Sequence, residues 1–441
     1  MTDGRRQLHL NVNVNSSGRH PASWRVQPDP LGFLDLGYFE EIGRLAERGR
    51  LDAVFFSDGF DYGQPKVSRP WQSLDPFIPL TAVARVTEHV GLVATQSSSF
   101  QHPYNIARST ASLDLVSGGR AAWNVVATRN PVAARLFGLD DLPDHDDRYG
   151  RAEEAVQVVL ALWESWEREA LVADQASGVF ADTNRIHPVD FTGTHLEVHG
   201  ALSVPRSPQG RPVLLQAGGS PQGTALAAAY ADAVFSVSHT LGGAQDFYRD
   251  VKAQAAAAGR NPDHVVILPG LFPVLGGTEA EARERKAWLD EVAGFDEELT
   301  ALSTTLGIDQ EDLHLDQPPP WDRIEKASAG LSRGFASAIL DLARRDGLTV
   351  RELLDKNPNG HRSIVGTSEQ VADSIEEWFT GRGADGFNLN VDVFPDGLTA
   401  IVDHLVPELQ RRGLFRTEYE ATTLRGNLGI PEPAGTVEVA V

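Results

Sequence analysis

The sequence predicts an α/β chain folded as a single (β/α)8 (TIM) barrel with insertions. Three observations point there. Short apolar runs of β-type alternate with longer helical ones, which implies parallel strands joined by βαβ crossovers. The strand-like runs number eight. No dinucleotide-type glycine fingerprint appears early in the chain, which favours a closed barrel over an open doubly wound sheet.

In chain order, "LHLNVNVN" alternates as a strand does, and "DLGYFEEIGRLAERGR" has helical periodicity closed by Gly49. "DAVFFSD" reads as a buried strand, "DPFIPLTAVARVT" as a helix and "HVGLVATQSSS" as the third strand. The helix "YNIARSTASLDLVS", the strand "RAAWNVVAT" and the long amphipathic helix "DRYGRAEEAVQVVLALWESWERE" come next. Residues 170–211 are rich in Gly, Pro, Asp and Thr, with short strand-like pieces such as "HLEVHG", and form a first excursion. The alternation resumes with the strands "RPVLLQA", "ADAVFS", "HVVILPGLFPVL" and "ADGFNLNV". Residues 290–360, broken by "DQPPP", form a second excursion before the helix "SEQVADSIEEWFTGRG", and residues 413–441 form a C-terminal tail. The expectation is one domain over residues 1–441.

At 441 residues the chain exceeds the size of one ordinary core, which suits a large barrel. Hydrophobic residues at 41% and charged residues at 23% are the balance of a soluble globular protein. A net charge of −22 disfavours nucleic acid and anionic membrane surfaces as partners. The absence of cysteine excludes disulfides, thiolate nucleophiles and zinc–sulfur sites. The segment "MTDGRRQLHLNVNVN" has no apolar signal core and no run is long enough to span a bilayer, so a cytoplasmic location is expected.

Barrel chemistry sits at the C-terminal ends of strands. The polar residues there are His20, Asp58, Thr95 to Ser97, Asn124 to Thr128, Gly218 to Ser220 and Asn388 to Asn390. In "LLQAGGSPQGTALAAAYADAVFS", Gly218, Gly219 and Ser220 run straight into a helix and read either as a turn or as a seat for an anion. Thr95 and Ser97 either cap a helix or offer hydroxyls to a polar ligand. Asn124 interrupts an apolar strand and must bond either to backbone or to a polar ring. In "DHDDRYGRAEE", His145, Arg148 and Tyr149 either hold a phosphate or heterocycle, or Asp146 caps the helix and Arg148 pairs with acids. Asp58 is either a turn former before Gly59 or a carboxylate for a ring N–H, a proton or a metal. His20 has no zinc-type spacing around it, and no metal is expected. No nucleophile elbow or phosphate loop is present, so reactivity is expected from an organic cofactor.

The strings "LDLVSGGRAAWNVVAT", "HDDRYGRAEEAVQVVLALWESW", "IHPVDFTGTHLEVHGALSVPRSPQGRPVLLQAGGSPQGTALAAAYADAVF", "VGTSEQVADSIEEWF" and "LVPELQRRGLFRTEYEATTLRGNLG" together resemble one family. It is the nitrilotriacetate monooxygenase component A branch of the bacterial-luciferase-like flavin monooxygenases, which includes dibenzothiophene sulfone, pristinamycin and long-chain alkane monooxygenases. The resemblance covers roughly residues 7–430. It implies a two-component enzyme that takes FMN as FMNH2 from a separate NAD(P)H-dependent flavin reductase and uses O2. A C4a-(hydro)peroxyflavin sheltered from water would oxygenate a small organic substrate, sulfur-, nitrogen- or halogen-bearing or aromatic. Homodimer or homotetramer assembly goes with it.

By the same resemblance Gly218, Gly219 and Ser220 receive the FMN phosphate, with His145, Arg148 and Tyr149 closing over it. Asp58, Thr95, Ser97, Asn124, Val126 and Ala127 line the isoalloxazine and ribityl chain. His20 acts near the reacting face as acid or base, and Tyr149 steadies the reacting group. Two departures stand out. Relatives commonly read Val-Thr-Ser at Val126-Ala127-Thr128, and many read Gly-Ser-Ser at Gly218-Gly219-Ser220, which leaves more of the phosphate contact to backbone N–H groups. The rival readings are a deazaflavin-dependent oxidoreductase on the same barrel and a non-catalytic flavin-binding protein. Phe60, Tyr62, Trp71 and Phe100 read either as an aromatic wall at the mouth or as packing. The acidic total charge disfavours a polyanionic chelator as substrate unless local charge overrides it.

Overall fold

The computed structural model describes residues 6–60, 70, 74–327, 333–356 and 360–433. Tyr62 and Trp71, and the tail beyond residue 433, lie outside the described residues. The barrel strands are β1 (His9–Val14), β2 (Ala53–Phe56), β3 (Gly91–Ser97), β4 (Ala121–Val126), β5 (Val213–Ala217), β6 (Ala233–Ser236), β7 (Val266–Leu275) and β8 (Gly386–Asn390). Each pairs in parallel with its neighbours, and the β1–β8 pairing closes the ring. These are the eight runs expected from periodicity.

A ninth strand, Arg362–Gly366, was not expected. β7 is ten residues long and outruns the ring. Its first half pairs with β6 and β8, and its second half, Leu271–Leu275, pairs with Arg362–Gly366. An unpaired stretch of backbone beside a buried core needs a partner, and this short, half-buried strand supplies it.

Strand alternation sorts the side chains into two sets. Leu10, Val12, Val54, Leu92, Phe387 and Leu389 face the surrounding helices. Ala53, Phe55, Val93, Ala122, Leu215, Phe235 and Leu268 face inward. Leu424, Leu428 and Ile430 of the C-terminal segment join the inward set and plug the N-terminal end of the barrel. The opposite end is therefore the mouth.

The first excursion carries two antiparallel hairpins, Leu171–Asp174 with Val179–Ala181 and Val189–Thr192 with Glu197–Gly200. The second is helical, running from Glu279–Ala293 to Val350–Lys356. Leu302, Leu306, Ile324, Leu342, Val350 and Leu353 give it an apolar core of its own. Its first helix rests on the barrel rim: Arg285 Nε donates to Asp392 Oδ2 at 2.6 Å, and Arg25 donates to the carbonyl of Val292.

Candidate functional site

The inward residues near the mouth are polar where those below are apolar. Thr95 and Asn124 are register partners on β3 and β4, and Asn124 Nδ2 donates to Thr95 Oγ1 at 2.9 Å. The Asn124 Oδ1 is buried and has no partner. Across the barrel, Asn13 Nδ2 donates to Asn390 Oδ1 at 3.0 Å, while Asn13 Oδ1 and Asn388 Oδ1 are buried without partners. Buried amide oxygens normally find donors, so orphans on both sides of the barrel interior mark where a hydrogen-bonding ligand fits. Phe55 and Phe235 meet edge to face at 5.8 Å beneath them and form an apolar floor.

Ser97 Oγ lies 2.7 Å from Thr128 Oγ1. The hydroxyl absent at Ala127 therefore has a neighbour one residue on. Val126 and Ala127 are half-buried at the end of β4. Asp58 follows β2, half-buried, with Oδ1 accepting from Gly59 N–H at 2.8 Å. Burial pushes its carboxyl up to about 6, against the pull of the Gly59 N–H and with a contribution from the charge of Asp75.

The Gly218–Gly219–Ser220 loop joins β5 to the helix Pro221–Tyr230. Ser220 caps that helix, its Oγ accepting from Gly223 N–H at 3.1 Å and donating to Tyr149 Oη at 3.2 Å. A side chain at Gly218 would come within 2.6 Å of Gln216 Nε2 and would push that amide aside. Tyr149 belongs to the first turns of the helix His145–Trp163. His145 packs its ring against Tyr149 at 4.8 Å, and Gln222 Nε2 bonds Asp146 Oδ1 at 3.1 Å across the two helix starts. Arg148 is on the same turn, its Nε buried without a partner. Two helix N-termini thus face one loop, a cradle suited to an anion.

His20 stands apart from this cluster. It is 2% exposed, its Nδ1 accepts from Ala22 N–H at 3.2 Å, and its Nε2 lies 3.1 Å from Asp290 Oδ1 on the first helix of the second insertion. With Nδ1 accepting, the ring proton sits on Nε2 and is donated to Asp290. Burial would raise the Asp290 carboxyl, but His20 and the Lys286 ammonium at 2.6 Å hold it below its ordinary range.

Near the mouth, Phe60, Phe100 and Phe137 form a trio, with Phe100 and Phe137 stacked at 4.6 Å. Phe137 is 43% exposed and was not singled out from sequence. Two histidines were also missed. His239 follows β6, and His361 precedes the ninth strand. The position just past a strand end could have signalled His239; no local pattern marks His361.

Among the described residues no group of three or more His, Asp or Glu is arranged to hold a metal ion, and no helix is long and apolar enough to cross a membrane.

Comparison with known proteins agrees with this geometry. Residues 12–386 match the family model described as luciferase-like monooxygenase. The chain is 40% identical over 437 residues to N-acetyl-S-(2-succino)cysteine monooxygenase of Bacillus subtilis (strain 168), spanning 98% of this chain and 99% of that one. It is 40% identical over 448 residues to nitrilotriacetate monooxygenase component A of Aminobacter aminovorans, spanning 98% of each. Among solved structures it superposes on riboflavin lyase, captured with modified FMN and riboflavin, with a TM-score of 0.83, 30% identity and 96% of each chain covered.

Proposed function

The chain belongs to the luciferase-like monooxygenase family, and from that premise we propose that it is the oxygenase component of a two-component system, taking FMNH2 from a separate NAD(P)H-dependent reductase and acting on a small organic molecule. The observation that carries this reading is the loop Gly218–Ser220 facing the first turn of His145–Trp163, with the unpaired buried amide of Asn124 on the adjoining strand β4. The relatives are named monooxygenases, one of them a lettered component, and a solved neighbour is named with modified FMN.

Bound in reduced form, FMN supplies the two electrons with which one atom of O2 enters the substrate and the other leaves as water. The protein's own part is to bind, orient and keep dry. Backbone N–H groups of Gly218, Gly219 and Ser220, with Tyr149, His145 and Arg148, would hold the phosphate. Asn124, Thr95, Ser97 and Asp58 would meet the polar edge of the ring and the ribityl chain, against Val126 and Ala127. The second insertion, resting on the rim through Arg285 and Asp290, would limit water at the mouth. Both nitrogens of His20 are engaged by Ala22 and Asp290, which supports a positioning role for it through that insertion. Tyr149 is engaged by Ser220, which supports a place at the phosphate end. Self-association as a homodimer or homotetramer and a cytoplasmic location belong to the same proposal.

The test is an assay coupled to a flavin reductase under labelled O2, across sulfones, aminocarboxylates, aromatics and alkanes, beside a direct FMN titration. One labelled oxygen atom in product is expected. Ser220→Ala and Tyr149→Phe are expected to weaken FMN binding by about tenfold together, the scale of one or two lost hydrogen bonds. Absence of FMN binding in either redox state would end the proposal.

A further inference from the structure

Each of the loops after β2, β3 and β4 brings one phenylalanine to the same place at the mouth. Phe100 and Phe137 lie parallel, 4.6 Å apart at 6°, and Phe60 stands edge-on to both, at 6.1 and 5.0 Å. The trio grows out of the wall assigned above to the flavin ring. Phe60 follows Asp58 by two residues. Phe100 follows Ser99, whose Oγ accepts from Thr128 N–H at 3.0 Å and whose carbonyl accepts from Arg151 Nε at 3.1 Å. Arg151 belongs to the same helix as Tyr149, so this loop is tied both to the segment after β4 and to the helix at the phosphate end.

Packing alone does not account for the cluster. Phe60 and Phe100 are half-buried, but Phe137 keeps 43% of its surface open. Val132, Leu136 and Leu139 are exposed as well, and the short helix Pro131–Leu136 buries only Ala133 and Ala134. Apolar side chains left bare in a run beside a polar pocket mark where a ligand lies. The rings also select its shape. An aromatic neighbour meets a phenyl ring stacked or edge-on and gains from the complementary quadrupoles, whereas a saturated ring of the same carbon count gains only apolar area.

Resting on the oxygenase reading above, we propose that Phe60, Phe100 and Phe137 form the recognition surface for a planar aromatic ring of the substrate, so that this enzyme acts on aromatic molecules in preference to saturated ones of the same size. The substrate ring joins the cluster through Phe137, with the group to be oxygenated on the side of Asp58 and Ser97. Phe137 determines the preference, because it is the most open of the three.

The experiment is calorimetric titration of FMN-loaded enzyme with 2-naphthyl methyl sulfone and with its decahydro counterpart, in wild type, Phe137→Ala and Phe137→Leu, with FMN affinity and molecular mass in solution measured for each protein. The naphthyl compound is expected to bind wild type about fivefold more tightly than the saturated one, the scale of one aromatic pair. Both substitutions are expected to erase that preference, with Phe137→Leu still binding the two compounds alike and FMN affinity unchanged. Equal binding of the two compounds to wild type, binding of neither, or a preference that survives in both variants overturns the proposal. So does a preference kept by Phe137→Leu alone, which would assign the surface to apolar bulk of any shape. A parallel loss of FMN affinity overturns it by assigning Phe137 to the flavin, and a fall in molecular mass with unaltered sulfone binding overturns it by assigning the patch to a second copy of the chain. If a variant fails to fold, the wild-type comparison of the two compounds decides. If wild type binds no FMN, the oxygenase reading fails on its own, and the same two sulfones titrated into the flavin-free protein still judge the phenylalanine trio.

Discussion

Asp58 shows how burial retunes one residue. Its carboxyl titrates at about 6, so it is largely neutral at pH 5 and charged at pH 7. A charged Asp58 accepts from a ring N–H and a neutral one does so poorly, so FMN binding is expected to strengthen by about tenfold from pH 5 to pH 7. Asp58→Asn should bind with little pH dependence over that span. A fluorescence titration across the range checks this, and an unaltered pH profile in the variant removes Asp58 from the ring. Asp58 was legible in sequence as a carboxylate closing a strand; its raised titration was not, because it comes chiefly from burial, which the packed fold sets. Thr95 and Asn124 were legible as strand-end polar residues, whereas their bond to each other depends on the β3–β4 register. His361 was illegible because its partner Phe235 stands 126 positions earlier and no pattern links them.

At the scale of elements, the helix Glu279–Ala293 is held to the rim by Arg285–Asp392 and by the group His20, Asp290 and Lys286. These contacts join an insertion with its own small core to the loops after β1 and β8. Removing the central carboxylate cuts the tie between His20 and the insertion, leaving Lys286 with Asp355, and loosens the insertion locally, while the barrel keeps its core. Asp290→Ala is therefore expected to raise proteolytic cutting within residues 294–356 and peroxide released per turnover, each at least about twofold. Limited proteolysis and a peroxide assay check it. An unchanged peroxide yield with faster cutting would show that the insertion does not guard the mouth. The helix starts at His145 and Pro221 were readable from sequence, yet their meeting through Tyr149 and Ser220 is a matter of packing.

For the whole molecule, the N-terminal end of the barrel is sealed by charge as well as by the leucine plug. Asp52 is fully buried, accepts from Leu10 N–H at 2.7 Å, and pairs with Arg416 at 2.6 Å and His9 at 2.9 Å. Burial alone would raise its carboxyl; Arg416 and then His9 outweigh this and lower it. Because its folded value lies below its unfolded value, the pair stabilises the fold above about pH 4, and that stability is lost as pH falls through the folded value. Asp52→Asn leaves Arg416 buried without its counter-charge and is expected to cost about 3–5 kcal/mol at pH 7. The deficit should shrink in acid. Thermal melts at pH 7 and at pH 3 read both effects, and an equal deficit at the two pH values would show that charge is not the cause.

Periodicity by itself determined the eight-stranded barrel, since alternation of strand and helix needs only local apolar spacing. It also placed the chemistry at the strand ends, because parallel strands joined by crossovers all point one way. What only the tertiary structure decided is which polar groups meet. Asn13 and Asn390 are neighbours through closure of the ring, the ninth strand exists because β7 outruns it, and His361 fits only because a distant strand offers the side-chain-free Gly270 beside it. Local sequence sets the direction of each side chain from its own strand, but the partner across the barrel is set by register and closure, which belong to the chain as a whole.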